Sequence, residues 1–221
     1  MHFFNRFAEV LVLALRLRAG RRVICGHDSE PGMAVVLRSS RDRFREVGGP
    51  AVTGQRKHTV TRIEIETGMP YNDFVTAFEK AAPAFDPGPV ELVPESGGTW
   101  DDVRAAIAAN APHDLITYTR INATPLLSVA GHTVRSIEYL TGNHVIAESM
   151  FRYDPKALLY APLRILIYSD GDGNAVLTMH KPSDEFGSLG IPEVTAVGEH
   201  LDRIVVNVLR VCGVDASHHF A

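Results

Sequence analysis

The stretch 138–185, EYLTGNHVIAESMFRYDPKALLYAPLRILIYSDGDGNAVLTMHKPSDE, reads as a strand end, a short helix, a proline exit and a β-hairpin. The helix spans about Gly142 to Phe151 and stops at Asp154-Pro155, because the residue before a proline is driven out of helical backbone. In the hairpin, Leu163, Ile165 and Ile167 alternate with Arg164, Leu166 and Tyr168; SDGDGN makes the turn and AVLTMH returns. Pro162 falls at the first position of the strand, where a missing donor does little harm. Asp170, Asp172 and Asn174 have the look of a calcium loop, but the chain has no downstream glutamate or flanking helices there, so they read as turn residues.

Upstream, two further strands show a period of two. LITYTRIN sets Ile116, Tyr118 and Arg120 against Leu115, Thr117, Thr119 and Ile121; TVRSIEYL sets Arg135, Ile137 and Tyr139 against Val134, Ser136, Glu138 and Leu140. An earlier strand places Thr61, Ile63 and Ile65 opposite His58, Val60, Arg62 and Glu64. Pro70 then opens a helix with Tyr71, Phe74, Val75 and Phe78 as its buried stripe. PAFDPGPVELVPESGG, residues 83–98, reads as a long irregular loop carrying apolar side chains, packed on a core edge or lying over a pocket. Thr99 and Asp102 form a capping pattern for a helix that turns Trp100, Val103 and Ile107 inward.

Downstream, Val194, Val197, Leu201, Ile204, Val205 and Val208 make a full helical stripe after Pro192, with Glu199 and Arg203 as an outer i,i+4 pair. The order strand, helix, helix, strand, strand, helix, strand, strand, helix predicts a two-layer α+β sandwich, a mainly antiparallel five-stranded sheet with helices on one face. We expect one domain over 54–215, preceded by a basic extension and linker at 1–53 and followed by a polar tail, 216–221, short enough to fray.

Charge separates the two parts. Residues 1–57 carry 11 Lys and Arg against 5 Asp and Glu, leaving 11 against 21 for the rest. An acidic domain lacks the cationic surface that phosphate neutralisation requires, so no nucleic acid partner is expected. The apolar run Val10–Leu15 is too short to span a bilayer, and the arginines around it suit an amphipathic helix that docks on protein, touches a membrane surface or serves organelle targeting. A cytoplasmic location is the simplest expectation. Cys25 and Cys212 have no CxxC or histidine-spaced partner, so no disulfide framework, metal site or cofactor motif is predicted.

Taken together, YLTGNHVIAESMFRYDP, LYAPLRILIYSD and KPSDEFGSLGIPEV, with the Leu201-Asp202 pair of the last helix, resemble the family catalogued as domain of unknown function 302, over about residues 60–211. The resemblance implies the two-layer α+β fold, often as a dimer, and no established activity. Relatives in that family carry a cysteine after the proline matching Pro162 and another before the asparagine turn. This chain has Leu163 and Gly142 there, so thiol chemistry is not implied for it.

The candidate ligand-binding residues are Asn143, His144, Glu148, Arg164, Tyr168 and His180. His144 and Glu148, one helical turn apart, could form an acid–base pair or a plain surface pair, with Asn143 as a helix cap. Arg164, Tyr168, Tyr118, Arg120, Arg62 and His180 are expected on the sheet face opposite the apolar alternation, as a homodimer face or as the site of a small anionic or aromatic ligand. The principal expectation is a homodimeric small-molecule-binding module with its pocket between the Gly142 helix, the hairpin and the proline-rich loop. The alternatives are an enzyme using His144 or His180 with Glu148 or Glu138, and a purely structural dimerisation domain.

Overall fold

The computed structural model describes residues 54–220; the helix and linker expected within residues 1–53 lie outside them. From Gln55 onward the chain forms one compact unit. Its first strand, β1 (Arg62–Pro70), alternates as expected, with Ile63 and Ile65 buried. Pro70 leads directly into α1 (Tyr71–Ala81), which buries Tyr71, Phe74, Val75 and Phe78. The segment expected to be an irregular loop instead contains a helix, α2 (Gly88–Glu95). Pro89 in its first turn costs it no intrahelical hydrogen bond, which is why a proline-rich stretch can still coil there.

Helix α3 (Trp100–Asn110) starts at the predicted capping box, where the Thr99 amide donates to Asp102 Oδ2 at 2.7 Å. Ile107 faces inward, but Trp100 is 38% exposed, contrary to expectation. Beneath α3 the buried residues are Ile107, Ala111 and Ile116, with Phe85, Val90, Val103, Tyr118 and Val145 packed against them, and Trp100 is not among them. Then come β2 (Ile116–Asn122), the short helix α4 (Thr124–Val129), β3 (Ser136–Gly142) and α5 (His144–Phe151). A 3-10 turn at Pro155–Leu159 leads to the hairpin of β4 (Leu163–Ser169) and β5 (Asn174–His180). Asp170 Oδ1 accepts from the amides of Asp172 and Asn174, so the aspartate and asparagine run does form a hairpin turn. Helix α6 (Pro182–Gly187) and the long α7 (Pro192–Val211) complete the fold.

All strand pairs are antiparallel, in the order β1-β5-β4-β3-β2. The main core lies between one face of this sheet and helices α1 and α7: Ile63, Ile65, Ile137, Tyr139, Ile165, Ile167 and Leu177 meet Phe74, Phe78, Val194, Leu201, Val205 and Val208. The two-layer α+β sandwich expected from the element order is thus the observed architecture. On the outer side of α7, no Glu199–Arg203 ion pair is present among the described residues. The segment expected to fray packs back instead: Ala216 is fully buried and Ser217–His219 makes a 3-10 turn. Ala216 and the neighbouring Val214 supply apolar side chains to the core, which holds the polar ending in place.

One junction fastens α6 to α7. A Cβ at Gly198 would lie 3.0 Å from both Phe186 Cβ and Ser183 Cα, so only glycine permits this approach. One turn later the carboxylate of Asp202, only 6% exposed, accepts from the Ser183 amide at 3.0 Å. Burial raises its pKa, opposed by that amide and by Lys181. Replacing Gly198 with alanine should cost about 1–3 kcal/mol by overpacking, read as a lower urea midpoint. Because the folded-state pKa of Asp202 is raised, its ionisation opposes folding, and stability should fall as pH rises from the unfolded carboxylate value of 3.8 through the folded one. Asp202→Asn, which keeps the acceptor, should flatten that part of the stability–pH curve, whereas Asp202→Ala should lose the hydrogen bond and cost about 1–3 kcal/mol.

Candidate functional site

Among the described residues, no α-helix covers the second face of the sheet. Register sets its rows: Glu64, Thr178, Leu166, Glu138 and Ile121 run across the five strands, with Arg62 opposite His180 and Leu140 opposite Arg164 beside them. An open groove of ≈ 390 Å³ crosses this face, lined among others by Arg62, Glu138, Arg164, Leu166, His180 and Glu185. Arg164 Nε lies 2.9 Å from Glu138 Oε1, yet its side chain keeps 78% of its surface exposed. Arg62 lies 3.3 Å from Glu64. His180 Nδ1 meets Glu185 Oε1 at 2.9 Å, the carboxylate being delivered by α6. Neighbouring Asp184 accepts from the Thr61 amide at 2.7 Å, so α6 also ties down the start of β1.

The helix α5 end of the molecule is organised separately. Asn143 is buried and works as the N-cap: its Oδ1 accepts from Val145 and Ile146, and its amide donates to the Asp114 carbonyl. Glu148 pairs with Arg152 rather than with His144. His144 Nδ1 lies 3.0 Å from the Tyr118 hydroxyl, and Phe85 packs against both rings, with centroids 5.0 Å from His144 and 5.4 Å from Tyr118. Burial lowers the pKa of His144 and raises that of Tyr118. A neutral imidazole and a protonated phenol can share one hydrogen bond between Nδ1 and the hydroxyl, its direction set by the imidazole tautomer.

The predicted site residues therefore fall into two groups that share no cleft. Arg164 and His180 line the open groove. Tyr168 lies on the same sheet face, opposite Ser136 and Val176, and lines a second cleft with Glu64, Asp215, His218 and His219. Asn143, His144 and Glu148 line neither cleft. Near the start of the Gly142 helix and the proline-rich loop, where a pocket is expected, Phe85, Tyr118 and Val145 pack against Ile107, Ala111 and Ile116.

Tyr118 and Arg120 also depart from expectation. The register shifts between Thr117 and Thr119, and one extra residue in a strand moves every later side chain to the opposite face. Arg120 thereby pairs with Tyr139 and reaches Glu79 of α1 at 2.6 Å, which in turn accepts from the Tyr139 hydroxyl at 2.8 Å. Glu185 is the groove residue that sequence reasoning did not single out. Its position just past the β5 strand, in KPSDE, was the available signal. Among the described residues, no three His, Cys, Asp or Glu side chains are placed to hold a metal ion, and the Cys212 thiol is pushed by burial up to about 11.

A one-sided helical layer on an antiparallel sheet, with paired charges across the bare face, defines the class: a two-layer α+β domain with an open sheet. The chain belongs to the family described as Domain of unknown function DUF302, whose model matches residues 95–208. Among solved structures, the crystal structure of an uncharacterized conserved DUF302 protein from Bacillus stearothermophilus is similar, at 12% identity, covering 68% of this chain and 97% of that one with a TM-score of 0.49. No curated protein matches the chain. No helix among the described residues is long and apolar enough to cross a membrane.

His144 gives a direct pH test. With its folded-state pKa lowered, the neutral ring is favoured in the fold, so its contribution to stability is complete above the ordinary value of 6.5. As pH falls below that value the unfolded chain takes up the proton first and stability drops, levelling off below the folded-state pKa. NMR titration of the His144 ring should give a midpoint below 6.5, and His144→Phe should remove this part of the pH dependence of thermal stability.

Proposed function

We propose that this protein is a homodimeric module that binds a small anionic ligand on the open face of its sheet, with Arg164 pairing with the acidic group. One observation carries the reading: the bare face holds a groove in which Arg164, paired with Glu138 yet with its side chain 78% exposed, stands with Arg62 and His180 beside the apolar Leu166 and Ile121. A largely exposed guanidinium among apolar neighbours suits a carboxylate or phosphate borne on an apolar or aromatic body. The same face, which no α-helix of the described residues covers, is the surface two copies would bury against each other. Asn143, His144 and Glu148 take no direct part in this reading, since they line neither cleft and stand at the α5 junction.

A second reading, an enzyme working by acid–base chemistry, is favoured by the His180–Glu185 contact. A carboxylate on Nδ1 orients the imidazole, leaving Nε2 as the nitrogen for proton transfer. Here Glu185 takes the role that sequence reasoning gave to Glu148 or Glu138.

Native mass spectrometry of the protein purified gently from its own source tests both readings. The wild type should run as a dimer carrying extra small-molecule mass. Arg164→Ala should lose that mass while keeping its circular dichroism and melting temperature. Retention of the adduct by Arg164→Ala would overturn the site. A His180→Asn variant that still binds but accumulates an unconverted form of the molecule would favour the enzyme.

A further inference from the structure

The connection from β2 to β3 is unusually apolar for an exposed segment. Residues 121–134, INATPLLSVAGHTV, hold no Asp, Glu, Lys or Arg in a chain that is 22% charged. Within it α4 exposes Leu126 at 77% and Val129 at 86%, with Ile121, Leu127 and Val134 also exposed around them. Five large apolar side chains exposed on one short uncharged segment make a surface to be covered.

We infer that in the homodimer this arm closes over the open groove of the other copy, so that each groove is completed by Leu126 and Val129 of the partner subunit. This rests on the open-face dimer proposed above. Area argues for a second copy as the occupant. Five strands about 4.8 Å apart, each about seven residues long, make a face of roughly 500–600 Å², short of the roughly 800 Å² per partner that stable interfaces bury. The arm supplies the difference. Charge argues the same way: Arg62 and Arg164 each have a carboxylate beside them, Glu64 and Glu138, while the Arg164 side chain stays 78% exposed toward the groove for a ligand. An uncharged arm can therefore lie over them without leaving a lone charge beneath it. Finally, Ile121 and Ala123, which lead into α4, themselves line the groove, so arm and groove are adjoining parts of one surface. A two-fold contact between two such surfaces sets each arm against the other groove. A groove roofed in this way selects a ligand whose anionic group sits beside an apolar body.

Sedimentation equilibrium of the full chain provides the test. The wild type should sediment at twice the chain mass of 24.2 kDa. Leu126→Asp/Val129→Asp, with unchanged circular dichroism, should raise the dimer dissociation constant about a hundredfold. Because that variant could misfold, a second test uses Val129→Cys and Thr178→Cys single variants, each also carrying Cys25→Ser, mixed under oxidising conditions. The expected product is a disulfide-linked pair containing one of each. A dimer that persists in the arm variant, dissociates on Leu166→Asp and gives no mixed disulfide would overturn the arm contact while leaving the open-face dimer standing. A monomeric wild type would overturn both. A wild type that floats with phosphatidylcholine–phosphatidylserine vesicles through Leu126 and Val129, without dimerising, would make a lipid surface the occupant and overturn the inference.

Discussion

A five-stranded sheet has two faces, and the long amphipathic helices of the domain cover only one of them. Helices α1 and α7 bury continuous stripes against Ile63, Ile65, Ile137, Tyr139, Ile165, Ile167 and Leu177. That burial, worth roughly 1.5–3 kcal/mol for each large apolar side chain removed from water, anchors every strand except the β2 edge. Among the described residues, the remaining helices do not form a second layer over the bare face. α2 and α3 gather a minor cluster around Ile107 and Ile116, and α5 and α6 pack beside α7. The uncovered face is therefore left to side chains that tolerate water, and these are arranged as cross-strand and strand-to-helix charge pairs rather than as an apolar layer.

The α6–α7 junction links this constraint to the groove. Gly198 lets the backbone of α6 approach α7 at contact distance, and Asp202 fixes the Ser183 amide. These contacts determine where α6 begins. From there Asp184 reaches Thr61 and Glu185 reaches His180, so a buried glycine and a buried carboxylate orient an imidazole on the opposite surface of the sheet. Isolated exposed ion pairs contribute little to stability. The paired charges of the groove matter more for what the surface can accept than for holding the fold together.

The β2 edge obeys a different logic. The extra residue near Tyr118 turns Arg120 under the sheet toward Glu79 and Tyr139, and sends the Tyr118 ring to Phe85 and His144. One irregularity thus removes two polar residues from the open face and builds a closed aromatic cluster where a pocket could otherwise lie. Pro83 to Phe85 seal the same edge, with the Phe85 amide donating to the Thr117 carbonyl at 2.9 Å.

The sequence by itself determined the order of the main elements, because periods of two and of 3.6 are local properties of the chain and leave marks at Ile63–Ile65, Leu163–Ile167 and Val194–Val208. It also determined the capping box at Thr99 and the cap at Asn143, which act within one turn of backbone. Partners chosen across the fold were not legible. His144 meets Tyr118 rather than Glu148, His180 meets Glu185 rather than Glu138, and Arg120 reaches Glu79 on the helical side of the sheet rather than the groove. Each depends on strand register or on helix placement, and a shift of one residue reverses the outcome without altering the pattern that sequence reading relies on. Tertiary structure alone decided which charges share a surface, because that surface is assembled from five strands and one short helix far apart in the chain.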